Sequence, residues 1–439
     1  MLAFFYLLAI YAFAYFIRNH YYRKSPLKKY FIPGLTVKII GAMGVTLIYN
    51  YYYKGGDTCI YFSNSKEIAS VFLSNPIDGF RLLFSHGGAF PIDLLKYTNQ
   101  LEYTAVESSY MVIKISVFLQ LFTFQSFLVT AMLFGSISFW AIWKIFNVFC
   151  GYYPTLSKQF AIAFLFIPSV FFWGSGILKD TVSIAALAIF FSCIDGLFFK
   201  GRNKIINGIG IFISGYIITM VKVYIIMSFS LCMIILIFLH YRNKIKSRNT
   251  RLFVTPIFVA ISTILGFFLL RAISENSISE KYTIENILET SEITRSYIYS
   301  VGGGSSYSLG EIDNSLWGLI KAFPAGVNVT LFRPYIWEAH NFIAIVSALE
   351  SFGILILTIT VLFKTRFFYF FKAIISSNLI FFCMIFSVIF AFSVGITSYN
   401  FGTLVRYKIP CIPFYIAGIH MIGHWGTKNF QRKNSSLKV

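Results

Sequence analysis

Apolar runs of about twenty residues recur along the whole chain, each giving way to a short polar or basic connector. That length is what a helix needs to cross the hydrocarbon core of a bilayer. Composition agrees with this reading. Hydrophobic residues make up 57% of the 439 positions and charged residues 12%, against roughly 25% charged in a soluble domain. The expected fold is an all-α polytopic membrane protein, forming a single transmembrane domain over 1–439 with no separate soluble domain.

The formal net charge is +20. Most Lys and Arg sit in connectors between apolar runs, where membrane topology and anionic head groups account for them. There is no Arg-rich arm, zinc-finger spacing or RNA-binding signature, so nucleic acid is excluded as a partner. The six cysteines, Cys59, Cys150, Cys193, Cys232, Cys383 and Cys411, show no CxxC spacing and mostly lie within apolar runs. They read as small core residues rather than a disulfide frame or a metal site. The start, "MLAFFYLLAIYAFAYFIRNHYYRK", is apolar first and basic afterwards, the reverse of a signal peptide. It reads as an uncleaved span with its N-terminus outside.

Hydropathy and the distribution of Lys and Arg predict about eleven spans, N-terminus outside and C-terminus inside. They fall at about 2–17, 36–53, 124–148, 159–175 and 181–199, two within 205–240, then about 252–271, 341–363, 374–396 and 409–424. Two external loops, 54–123 and 272–340, form the expected active-site face. The first carries amphipathic pieces, "SKEIASVFL" and "FPIDLLKYTNQL", that suit the interface. No inverted or tandem repeat is evident, which lowers the expectation of a repeat-built transporter.

Against this oily background a few polar residues stand out. "FFWGSGILKDTV" places Lys179 and Asp180 side by side between two apolar stretches. They are either a hairpin tip in interfacial water or a functional pair, since ionisable groups at membrane depth tend to be functional. "YYYKGGDTCIY" carries Asp57 after two glycines that permit a tight turn. "LFRPYIWEAHN" brings Arg333, Glu338 and His340 together in sequence. Arg grips phosphate with paired hydrogen bonds, and Glu or His can move protons; the same residues also suit an aromatic belt with salt-bridged anchors. Arg406 and Lys408 in "GTLVRYKIP" are phosphate candidates or snorkelling anchors. Lys222 lies where the two spans of 205–240 are expected to meet, as a buried charge or a turn residue. Glu350, about three turns into its span, is expected to face the bundle interior, and Asp195 to sit at the inner interface. Gly302–Ser306 is a Gly-rich stretch without a following Lys-Ser/Thr, and it reads as a flexible external loop in preference to a phosphate cradle. No HExxH, paired metal ligands or Walker loop occurs.

Four of these segments carry a family resemblance. "GGDTCIY" in the first large external loop resembles membrane glycosyltransferases of the GT-C superfamily. "IPSVFFWGSGILKDTVSIAALAIFF" resembles the corresponding hairpin of the protein-mannosyltransferase and lipid A aminoarabinose-transferase type. "LFRPYIWEAHN" and "RYKIPCIPFYIAG" resemble segments of membrane proteins from surface-polysaccharide clusters. The chain departs from the GT-C pattern in a lone Asp57 after the second span, where relatives carry an acidic pair after the first. The resemblance implies an enzyme of the bacterial inner membrane that moves a sugar from a polyprenyl phosphate or diphosphate carrier to a saccharide or lipid hydroxyl acceptor. It implies Asp57 as general base, Arg333 and Arg406 as ligands of the carrier phosphate, and Lys179 or Lys222 assisting. Asp180 would orient Lys179 or sit beside Asp57, and a divalent cation, Mg²⁺ or Mn²⁺, between Asp57 and Asp180 is an open expectation. An O-antigen-type polymerase and a flippase of lipid-linked saccharides are the alternatives.

Overall fold

The computed structural model describes residues 1–247, 249–256, 258, 306–310 and 316–436. Every regular element among them is helical, with two isolated β-bridges. Seven of the helices are long and apolar enough to cross a membrane, as a polytopic membrane protein requires. Most of the expected span at 252–271 lies outside the described residues. So does the loop from 272 to 315, except 306–310, and with it the glycines of Gly302–Ser306.

The chain divides into two compact units, Met1–Val223 and Tyr224–Val439. The first unit opens with α1 (Leu2–Tyr21) and α2 (Lys28–Leu47), the latter extended by a π turn, Ile48–Tyr52. A layer of shorter helices follows: α3 (Asp57–Ser74), α4 (Pro76–Phe84), α5 (Leu95–Thr98) and α6 (Glu107–Gln120). Next come α7 (Phe127–Tyr152), α8 (Ser157–Ala161), α9 (Pro168–Trp173), α10 (Lys179–Ile194) and α11 (Lys204–Arg242), of which residues up to Val223 belong to the first unit and the rest to the second. The centre of this unit is α7, which packs along both α2 and α10. In the short-helix layer α3 packs on α4 and α6, around Tyr61, Ile68, Leu82, Leu94, Tyr110 and Ile113. Helix α4 turns Gly79 and Leu82 inward and leaves Ile77, Phe80 and Phe84 exposed on its opposite face.

The second unit contains α12 (Leu316–Phe332), α13 (Phe342–Thr365), α14 (Phe367–Ser376), α15 (Asn378–Ser398), α16 (Phe401–Tyr407) and α17 (Ile412–Ser436). Here α15 packs against α12 and α17, and α17 against α13. Phe229, Phe382, Phe386 and Phe414 interlock edge to face at its core.

Two boundaries differ from the sequence reading. Helix α2 starts at Lys28, not near 36, so Lys38 moves from the edge of the span to its interior. The expected span at 159–175 is broken. Pro168 disfavours helix at the residue before it, and Ile167 is extended (φ −66°, ψ 125°) between a π turn and α9. The run 205–240 agrees with the sequence reading in one respect: two helical stretches within Lys204–Arg242 meet at a kink at Lys222 (φ −150°, ψ 83°).

Candidate functional site

Three backbone positions in the left-handed region set up the start of α3: Lys54 (φ 54°), Gly55 (φ 147°) and Gly56 (φ 105°). Glycine takes such angles without a Cβ penalty, and the turn delivers Asp57 as the first helical residue. Asp57 is half-buried and accepts a hydrogen bond from the Tyr103 hydroxyl at 3.2 Å. Beside it Thr58 is fully buried, and its Oγ1 meets no hydrogen-bond partner among the described residues. Gly56 lies against the Tyr49 ring, and Tyr49 meets Trp173 edge-on with centroids 6.5 Å apart. The Trp173 carbonyl accepts from Thr181 Oγ1 at 3.3 Å. Thus the Asp57 turn and the start of α10 belong to one neighbourhood of the first unit.

The Lys179–Asp180 pair opens α10. Leu178 is extended before it, and Asp180 falls in the first turn, where a helix favours negative charge. Lys179 is half-buried and donates to Ser108 Oγ at 2.8 Å. Asp180 is only 3% exposed, and its Oδ1 lies 2.5 Å from Nζ of Lys222, itself 7% exposed. Asp180 therefore takes Lys222 as its ion partner, where the sequence suggested Lys179 or Asp57. Lys222 is the residue at which α11 leaves helical geometry, so the break and the buried pair coincide. The two residues are neither a hairpin tip in water nor a plain turn.

Lys38 escaped the sequence reading. It is 0% exposed within α2, and its Nζ donates to Gly174 O (2.6 Å), Val170 O (3.0 Å) and Ser138 Oγ (3.1 Å). The only signal was one lysine between "FIPGLTV" and "IIGAMG". Asp195, expected at the interface, is buried beneath Lys200 (2.7 Å) and the donating Tyr152 hydroxyl (2.6 Å).

In the second unit Arg333 grips Glu338 with two nitrogens, its Nε donating to Oε2 at 3.0 Å and its Nη2 to Oε1. The rings of Tyr307, Tyr335 and Phe401 surround the guanidinium at 5.2–5.7 Å. Ser351 Oγ donates to the Arg333 carbonyl at 3.1 Å, and Lys408 Nζ donates to Ser351 Oγ at 2.8 Å. Lys408 is fully buried, not a snorkelling anchor, and feels the charge of Glu350, which is buried as expected. Arg406 is half-buried near the end of α16. His340 is exposed two residues beyond Glu338; the structure does not draw it into the Arg333 cluster.

Partial burial pushes the Glu338 carboxyl up, but the Arg333 hydrogen bond, the Tyr335 backbone N–H and the guanidinium charge together hold it below its ordinary value. Such a group stabilises the fold above its unfolded pKa, about 4.3 for Glu, and loses that contribution as pH falls through the lower folded value. Wild type is therefore expected to exceed Glu338→Gln in thermal stability at neutral pH. The gap should close on acidification below about pH 4.3, read by unfolding scans in detergent. A gap that does not change with pH would show that the carboxylate charge is irrelevant there.

Compared with protein-family models, with curated proteins and with solved structures, the chain matches none.

Proposed function

We propose that this chain is a membrane glycosyltransferase at the outer face of a bacterial inner membrane, with about eleven spans, N-terminus outside and C-terminus inside. It moves a sugar from a polyprenyl phosphate or diphosphate carrier to a hydroxyl acceptor in surface polysaccharide or glycolipid synthesis. The observation that carries the reading is Asp57, presented half-buried at a glycine-built helix start beside the Tyr103 hydroxyl. In this scheme Asp57 takes the proton from the acceptor hydroxyl as that oxygen bonds to the anomeric carbon. The carrier phosphate leaves with the bonding electrons. Tyr103 holds the carboxylate in place, and Lys179 supplies positive charge in the same unit. Lys222 is committed to Asp180, so both act as scaffold for Lys179. In the second unit Arg333 has two nitrogens filled by Glu338, and Arg406 is half-buried near the end of α16; both are proposed as phosphate ligands on the resemblance alone.

The expected divalent cation does not fit this donor set. Asp180 Oδ1 faces an ammonium at 2.5 Å, which repels a second cation, so no step passes through a metal. The exposed Ile77, Phe80 and Phe84 face of α4 suits the acyl boundary of the outer leaflet, where a lipid-linked donor resides. A flippase would align charges along a passage. Lys38, which the sequence reading did not count, and Lys408 are buried cations, and the three Lys38 hydrogen bonds among the described residues all end on protein oxygens.

Mass spectrometry of polyprenyl-linked saccharides in cells lacking the gene tests the reading. A repeat unit short of one sugar, restored by the wild-type gene, is the expected result. Complete but unpolymerised units would transfer the assignment to a polymerase. Complete units retained on the cytoplasmic side, judged by resistance to external glycosidase, would transfer it to a flippase.

A further inference from the structure

Lys38 poses a physical problem that the proposed function does not touch. A lysine in the interior of a span is costly unless its charge is met, and the hydrocarbon there supplies no water to meet it. No carboxylate lies among its hydrogen-bond partners in the described residues. What meets it is a cluster of oxygens. Val170 O and Gly174 O belong to the last turn of α9 and the residue that caps it. A helix C-terminus leaves such carbonyls unsatisfied and carries partial negative charge. Ser138 Oγ on α7 accepts from Lys38 and donates to Gly174 O at 2.8 Å, closing the ring. An ammonium has three N–H bonds, and here it finds three acceptors.

Two backbone carbonyls and a hydroxyl are the donor type that coordinates free monovalent cations at broken helices in membranes. In this chain the cation is covalently attached. We propose that Lys38 is a tethered cation: its ammonium occupies an oxygen-lined site at the C-terminus of α9, and by filling that site it fixes the bent segment 174–178 that delivers Lys179 and Asp180. The segment is non-helical and buried at every position. Irregular backbone at membrane depth persists only where protein encloses it and its polar groups are satisfied. Lys38 secures its upstream end, and the Lys222–Asp180 pair secures its downstream end. Glycine at 174 leaves room for the ammonium, since a Cβ there would stand 3.0 Å from Nζ. Lys38 is thus a positioning residue, and the assignment is independent of which reaction the protein performs.

The test is chemical rescue, because a lysine that merely fills space cannot be replaced by a free ion. Purified Lys38→Ala and Lys38→Met are compared with wild type by thermal unfolding in detergent, with ammonium, methylammonium or tetramethylammonium chloride added at matched ionic strength. Lys38→Ala is expected to lose thermal stability and to regain it saturably with ammonium or methylammonium, but not with bulky tetramethylammonium. Lys38→Met keeps an apolar stem without charge, so it is expected to be destabilised and not rescued. Wild type should respond to none of the salts beyond ionic strength. A Lys38→Met protein as stable as wild type, or a Lys38→Ala protein indifferent to ammonium, would overturn the proposal. Should neither variant accumulate, Ser138→Ala retains Lys38 and removes one acceptor. Faster hydrogen exchange across residues 174–178 is then expected, and unchanged exchange there rejects the assignment.

Discussion

Replacing Asp180 with Asn is expected to destabilise the folded protein by about 3–5 kcal/mol, the cost of stripping one member from a buried ion pair. Both side chains are almost wholly enclosed, and their charged atoms meet at 2.5 Å. Removing the carboxylate leaves the Lys222 ammonium in surroundings where water cannot screen it. Lys222→Met strands the carboxylate in the same way. The pair itself is a different matter. Desolvating two charges nearly cancels their attraction, so Asp180→Leu combined with Lys222→Met is expected to recover most of the loss. Thermal unfolding of Asp180→Leu, Lys222→Met and their double variant forms a cycle whose coupling energy isolates the pair. Single variants that unfold with wild type would mean that the charges reach water. The double variant also asks whether the helix break at Lys222 depends on the pair, which hydrogen exchange across 218–226 would read.

The second large effect belongs to Asp57. Under the proposed reaction, Asp57→Asn is expected to lower sugar transfer by about 10²–10⁴-fold, the usual contribution of a positioned general base. Folding should be unaffected, because the asparagine carbonyl still accepts the Tyr103 hydroxyl and the residue is only half-buried. The check is complementation of the deleted gene with wild type or Asp57→Asn, followed by mass spectrometry of the lipid-linked saccharides. Persistence of the truncated saccharide, with the variant present at wild-type level in the membrane, is the expected result. Full restoration by Asp57→Asn would remove the carboxylate from the chemistry and leave α3 a structural element.

Hydropathy gave away the helical membrane character because it sums over twenty residues and tolerates local error. It could not place single residues. The span holding Lys38 was read as starting after "FIPG", yet Pro33 and Gly34 lie inside α2, and that shift of two turns hid a buried lysine. Pro168 did carry a local signal for the break before α9. Arg333 and Glu338 could be read as partners because five residues separate them. Asp180 and Lys222 were both singled out but not joined, since they stand 42 positions apart and their meeting depends on how α10 and α11 pack. Lys408 and Ser351 are 57 residues apart, and no pattern in the sequence announces their contact. The chemistry of the candidate residues was thus visible before their company was.

The segment "GSGIL" at 174–178 has the lettering of a flexible linker, and its surroundings give those small residues the opposite meaning. A Cβ on Gly174 would come within 2.4 Å of the Val170 carbonyl, and one on Gly176 within 2.6 Å of Val45. The glycines here are clearance, not slack: they let the backbone thread a channel cut to its own width. Such an elbow transmits force without absorbing it. A displacement at Lys179 must carry the end of α9 and the face of α2 with it, so the N-terminal end of α10 behaves mechanically as part of the bundle wall.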